Sequence, residues 1–98
     1  MVSQLRMYQV KEGELDAFVR EWKTSVVPLR RKFGFKVEGA WTIPATSEFI
    51  WIISYDGRDG FEARDAAYYA SPERKALTPD PARHLAHTDT RLMTPVPL

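Results

Sequence analysis

An α+β fold, with strands and helices in the order βαββαβ, follows from three features of the sequence. Apolar residues recur at helical spacing from Leu15 to Phe33. Four short segments rich in strand formers lie around that stretch, and turn-forming residues separate each element from the next. The chain has 98 residues, room for one domain and not two, so the fold is expected to occupy residues 1–98 as a single domain.

The first strand is read from Val2 to Val10. Leu5 and Met7 take one face, Arg6 and Tyr8 the other, and the strand stops at Lys11-Glu12-Gly13. Leu15, Phe18, Val19, Trp22, Val26, Leu29 and Phe33 then line one side of a long helix. Glu14 and Asp16 suit its positive N-terminal end, Arg30, Arg31 and Lys32 its last turn, and Gly34 a C-terminal cap. Pro28 has no amide proton and is expected to bend the helix or split off its final turn. In the second strand Phe35, Val37, Trp41 and Ile43 alternate with Lys36, Glu38 and Thr42, the pattern of an edge strand with one wet face. After Pro44-Ala45-Thr46, the run Phe49-Ile50-Trp51-Ile52-Ile53 is apolar on both faces and belongs at the centre of a sheet. Asp56 to Gly60 reads as a loop, Phe61 to Ala70 as a second helix, and Ser71-Pro72 as its end. Pro79 and Pro81 mark a loop with one more turn near Arg83 to Ala86, and His87 to Met93 is the fourth strand.

This order predicts a ferredoxin-like plait: a four-stranded antiparallel sheet with strands one and three central and both helices on one face. The helices can cover one side of strand three, and so short a chain has nothing left to cover the other. A homodimer joined through the sheet face is therefore expected.

Charge and composition narrow the function. Fourteen Lys and Arg against 13 Asp and Glu give a net charge of +1 with both signs interspersed, which is not a nucleic-acid-binding balance. The absence of cysteine excludes disulfides, thiolate metal sites and a Cys nucleophile. Neither an apolar signal-peptide core nor a run approaching the roughly 18 residues of a membrane helix is present, so a cytoplasmic location without membrane partners is expected. Gly57 and Gly60 frame a turn and not a phosphate-binding loop, and no cofactor is expected.

Leu5-Arg6-Met7-Tyr8-Gln9-Val10-Lys11-Glu12-Gly13, then Phe18, Trp22, Pro28-Leu29-Arg30 and Gly34-Phe35-Lys36-Val37-Glu38-Gly39-Ala40-Trp41-Thr42, resemble the NIPSNAP family. The resemblance continues through Ile53-Ser54-Tyr55-Asp56 and Arg91-Leu92-Met93-Thr94-Pro95. It departs at Arg74, where family members often carry Trp, and in the Pro-rich stretch from Thr78 to Ala86. What the resemblance implies is a dimeric α/β barrel, in which two plaits bring their sheets together and supply the missing layer over Ile50 and Ile52. It carries over no catalytic residue.

Three groups of residues could carry chemistry. Arg6 and Tyr8 share a strand face, and Arg91 on the neighbouring fourth strand could lie close; two guanidinium groups beside a phenol would hold an anion. The preferred alternative pairs Arg6 with Glu48 or Asp89 across a subunit boundary, because a buried charge needs a partner. Among the aromatics, Trp22, Trp41, Trp51, Tyr55, Tyr68 and Tyr69 could line an apolar pocket, although packing of Phe18 and Trp22 on Trp41 and Trp51 explains most of them. Within such a pocket Tyr8, His87 or Asp65 are the candidate proton-transfer groups, with Asp65 needing burial to act as a base. His84 and His87, three apart, suit a strand end better than a metal site, and no metal is expected.

Two functions fit these residues: a NIPSNAP-like homodimeric protein that binds or responds to a small apolar or anionic molecule, or a cofactor-independent monooxygenase or isomerase acting on an aromatic or polyketide-like substrate. A sealed core would oppose the second, and an open cavity with Tyr, His or Asp turned inward would favour it.

Overall fold

The structure, a computed structural model, describes residues 1–98. Its elements are β1 (Val2–Val10), α1 (Leu15–Glu21), a π-helical turn (Trp22–Val26), α2 (Val27–Lys32), β2 (Lys36–Ile43), β3 (Glu48–Tyr55), α3 (Phe61–Ala70), α4 (Pro72–Lys75) and β4 (Leu85–Met93). The strands lie antiparallel in the order β2-β3-β1-β4, with β1 and β3 central. This is the ferredoxin-like arrangement that the periodicities predict.

Register divides the sheet by alternation. Gln4, Arg6 and Tyr8 stand opposite Ile53, Trp51 and Phe49, and all six are buried on the helix side. Leu5 and Met7 stand opposite Ile52 and Ile50, half-buried on the other side. Trp22 meets Trp51 edge-on at 5.4 Å and Phe18 meets Phe49 at 5.1 Å, contacts worth about 0.5–1.5 kcal/mol each beyond their burial.

Three local features differ from the sequence-based expectation. In β2 the pairing slips between Val37 and Gly39, so Glu38 is an extra residue and the alternation changes phase there. Val37 therefore opposes Ile53 on the helix side while Trp41 opposes Ile50 on the open side. Trp41, at 54% exposure, does not meet Phe18 or Trp22; its ring lies over Gly39, where a Cβ would come within 3.0 Å of it.

Residues 15–32 do not break at Pro28. The Val27 amide donates to the Trp22 carbonyl, five residues back, and this wider turn carries the chain into the proline. In an α-helix a spacing of four drifts about 40° around the axis; the wide turn offsets that drift, so Phe18, Trp22, Val26 and Arg30 all face the sheet and are buried. Arg30, expected in the last turn for its charge, is only 1% exposed, while Leu29 and Phe33 pack at the margin of the core.

The final turn occupies Pro81–His84, earlier than expected, and β4 accordingly begins at Leu85. Asp80 starts the turn by accepting a hydrogen bond from the Ala82 amide at 2.9 Å, and Pro81 sits at the position where its missing amide costs nothing.

Candidate functional site

The helix-facing side of β1 brings one guanidinium into the interior. Arg6 donates through Nε to the Tyr8 hydroxyl (2.7 Å), through Nη1 to Gln4 Oε1 (2.6 Å) and through Nη2 to the Tyr69 hydroxyl (2.7 Å). Every one of these acceptors is uncharged, and no carboxylate lies within ion-pairing distance of Arg6. The expected pairing with Glu48 or Asp89 is corrected by register: those residues oppose Gln9 and Met7 on the other face, and Asp89 pairs with Arg91. Arg91 itself opposes Leu5, so it too projects away from Arg6 and Tyr8.

The second guanidinium comes from α2. Arg30 Nη1 is 2.6 Å from Asp65 Oδ1 on α3, Nη2 donates to the Tyr69 hydroxyl at 3.2 Å, and the guanidinium carbon stands 3.8 Å from the centre of the Tyr68 ring. Tyr69 thus accepts from both buried arginines. Arg74 completes the group: Ser71 caps α4 by accepting from the Arg74 amide, and the side chain reaches Asp80 at 3.0 Å, 5.7 Å from the Tyr69 ring.

These residues border a cavity of about 130 Å³ between sheet and helices. Its walls are Tyr8, Phe18, Trp22, Trp51 and Tyr68, and the exposed Tyr69, Ala82 and Thr88 mark its opening. Nε of Arg30 and the indole nitrogen of Trp22 are fully buried without a partner, and the indole nitrogen of Trp51 has only a loose contact with the Tyr8 hydroxyl. Burial raises the Tyr8 and Tyr68 hydroxyls above the usual phenol range in spite of the adjacent arginines, so both are neutral donors near pH 7. A larger depression of about 510 Å³ at the turns beside Gln9, Glu12, Asp16 and Thr46 is bordered by solvent-exposed polar side chains and gathers no such donors.

Of the candidate residues, Arg6, Tyr8, Trp51 and Tyr68 come together at this cavity, and Trp41 and Arg91 do not. Asp65 serves as counter-ion to Arg30, with its side chain 23% exposed. His87 is exposed on the open face opposite Gln9 and does not line the cavity. His84 is buried in the turn before β4, where Nδ1 lies 2.8 Å from Glu14 and Nε2 2.9 Å from Glu21, so the two histidines form no common corner. Arg30 and Arg74 escape sequence reading, and Tyr69 is recognised there only as one aromatic among several. The spacing of Arg30, four residues after Val26 and eight after Trp22, is the one signal that could have placed it inward.

Comparison with known proteins agrees with this description. An uncharacterized NIPSNAP domain protein from Burkholderia xenovorans superposes with a TM-score of 0.84 at 19% identity, covering 98% of this chain and 95% of that one. A NIPSNAP family protein from Agrobacterium tumefaciens gives 0.84 at 13% identity over 97% of this chain and 92% of that one. The structure of an antibiotic biosynthesis monooxygenase gives 0.72 at 17% identity, over 99% and 100%. At these identities the likeness is one of fold. No curated protein matches the sequence. The NIPSNAP family model, however, matches residues 3–98, nearly the whole chain. This protein belongs to the NIPSNAP family.

Proposed function

We propose that the protein is a small-molecule-binding homodimer whose ligand occupies the cavity between sheet and helices. The observation that carries this reading is an aromatic-walled cavity that opens to the surface and is bordered by the buried Arg6 guanidinium, whose hydrogen-bond partners are all uncharged. Support for pairing comes from the open sheet face, where Leu5, Met7, Ile50 and Ile52 form an apolar strip flanked by the exposed Trp41 and Ile43.

Mass spectrometry of small molecules released from the natively purified protein tests the binding reading. One compound enriched at near-stoichiometric level supports it, and its loss in a Trp51→Ala variant that remains folded locates it; release of no compound, with no small organic molecule raising the melting temperature, would refute it. Light scattering at micromolar concentration should give twice the monomer mass, and a cooperatively folding monomer would refute the dimer.

A second reading, catalysis as a cofactor-independent oxygenase or isomerase, draws on the Tyr8 and Tyr69 hydroxyls at the cavity. Binding is better supported. Tyr8 holds its proton near neutral pH and Asp65 is engaged by Arg30, so neither is poised to abstract a proton. A volume of about 130 Å³ also accommodates one ring and not a polyketide.

A further inference from the structure

Resting on the cavity as a ligand site, we infer that its occupant is a monocyclic aromatic carboxylate. Charge gives the first half of the argument. Three arginines border the cavity; Asp65 pairs with Arg30 and Asp80 with Arg74, leaving Arg6, 6% exposed, with uncharged hydrogen-bond partners only and the Asp65 charge acting on it from beyond ion-pairing distance. A buried cation without a directly paired carboxylate is costly, and three neutral acceptors, the aromatic faces of Tyr8 and Trp51 at 5.6 and 5.5 Å and the more distant Asp65 share in offsetting that cost. An anion in the cavity completes the balance.

Hydrogen-bond bookkeeping points the same way. A guanidinium has five N–H groups and Arg6 uses three. Arg6, which lines the cavity, thus has donors left over, so the complementary ligand brings acceptors. A carboxylate accepts up to four hydrogen bonds in the planar geometry that guanidinium groups match.

Shape gives the second half. Tyr8, Phe18, Trp22, Trp51 and Tyr68 surround the space, and its volume of about 130 Å³ is close to that of a cavity, about 150 Å³, known to hold benzene. Flat aromatic walls around one ring's worth of space select a planar apolar body. The carboxylate would meet Arg6 and the ring would lie among the aromatics.

Titration calorimetry of the full chain with benzoate, benzamide and inorganic phosphate, with the fluorescence of Trp22 and Trp51 followed in parallel, tests this. Benzoate should bind at least about tenfold more tightly than benzamide, which has the same shape without the charge, and more tightly than phosphate, which has the charge without the ring. Arg6→Gln should bring benzoate down to the level of benzamide. Because that variant removes a core residue, Arg74→Gln is the second one, expected to weaken benzoate several-fold and leave benzamide unchanged. Equal binding of benzoate and benzamide would overturn the anionic class while leaving the cavity as a site for neutral rings. Preference for phosphate would overturn the aromatic half. Binding of none of the three would overturn the inference, and the ligand-site reading would then rest on the co-purified molecules alone.

Discussion

Replacing Asp65 with Asn separates what the protein needs to stay folded from what its cavity needs to bind. The substitution keeps the shape of the side chain and removes its charge, so Arg30, 1% exposed and 2.6 Å from the carboxylate, becomes a buried cation without a counter-ion. Breaking a fully buried pair from one side costs about 3–5 kcal/mol. Asp65 is 23% exposed, and water screens its end of the pair, which brings the expected loss to about 2 kcal/mol. For a chain of 98 residues that is a fall in melting temperature of about 8–16 °C. Urea unfolding followed by Trp fluorescence at fixed protein concentration measures it, with an unchanged slope showing that the loss is one of stability. Arg30→Met removes the cation instead, so adding Asp65→Asn to that background should cost little, and the double-mutant cycle should give a coupling of about 1–2 kcal/mol. The same Asp65→Asn variant makes the cavity more positive, so benzoate affinity should rise several-fold as stability falls. A loss below about 0.5 kcal/mol, or an equal loss with and without Arg30, would show that this pair does not hold the guanidinium in place.

Other perturbations have equally definite outcomes. The Glu21 carboxyl is held down to about 2, against an ordinary 4.5, first by hydrogen bonds from Arg83 and then by His84. Its depressed value means that it adds stability above about pH 4.5, a contribution lost as pH falls toward about 2; the urea midpoint should decline across that window, and Glu21→Gln should flatten the decline. Gly57→Ala should cost about 1–3 kcal/mol in urea unfolding, because the new methyl group would overlap the Tyr55 ring and hydroxyl and displace the 2.6 Å hydrogen bond to Asp59; a neutral effect would contradict that packing. Ile52→Lys places a charge on the apolar strip of the open face, and light scattering should then report monomer with the cavity's ligand affinity retained. Persistence of a dimer in that variant would place the subunit contact elsewhere.

The central elements are legible in the sequence for a simple reason. A period of two in Val2–Val10 and an apolar run in Phe49–Ile53 survive in any tertiary context that buries one or both faces, so β1 and β3 declare themselves. Which side a given residue takes is harder, because it depends on register. Arg91 alternates correctly within its own strand, but only its pairing with Leu5 sets it against Arg6, and that pairing is a long-range fact. Trp41 is misplaced by a single extra residue at Glu38, which no alternation in β2 announces. Arg30 is hidden in a different way: a charge near a helix C-terminus fits the dipole so well that the one signal of its burial, its spacing from Val26 and Trp22, is outweighed. The cavity joins residues of unequal legibility: Arg6 follows from a strand's parity, whereas Arg30 depends on an altered helical phase and Arg74 on a capped turn.

The π-helical turn at Trp22–Val26 also governs how this helix can vary in length. If the segment relaxed to regular α geometry with every residue kept, Val27–Lys32 would rotate by about 100° relative to Leu15–Glu21, and the guanidinium of Arg30 would swing off the tyrosines that hold it. Deleting one residue from the wide turn has the opposite effect, because it removes the surplus residue and leaves the flanking halves in their present phase. A gap of one inside Trp22–Val26 is therefore the length change this helix can absorb, whereas the same gap within Leu15–Glu21 or Val27–Lys32 would put the halves out of step. Aligned family members that are one residue shorter here should still present the residue corresponding to Arg30 to the same cavity.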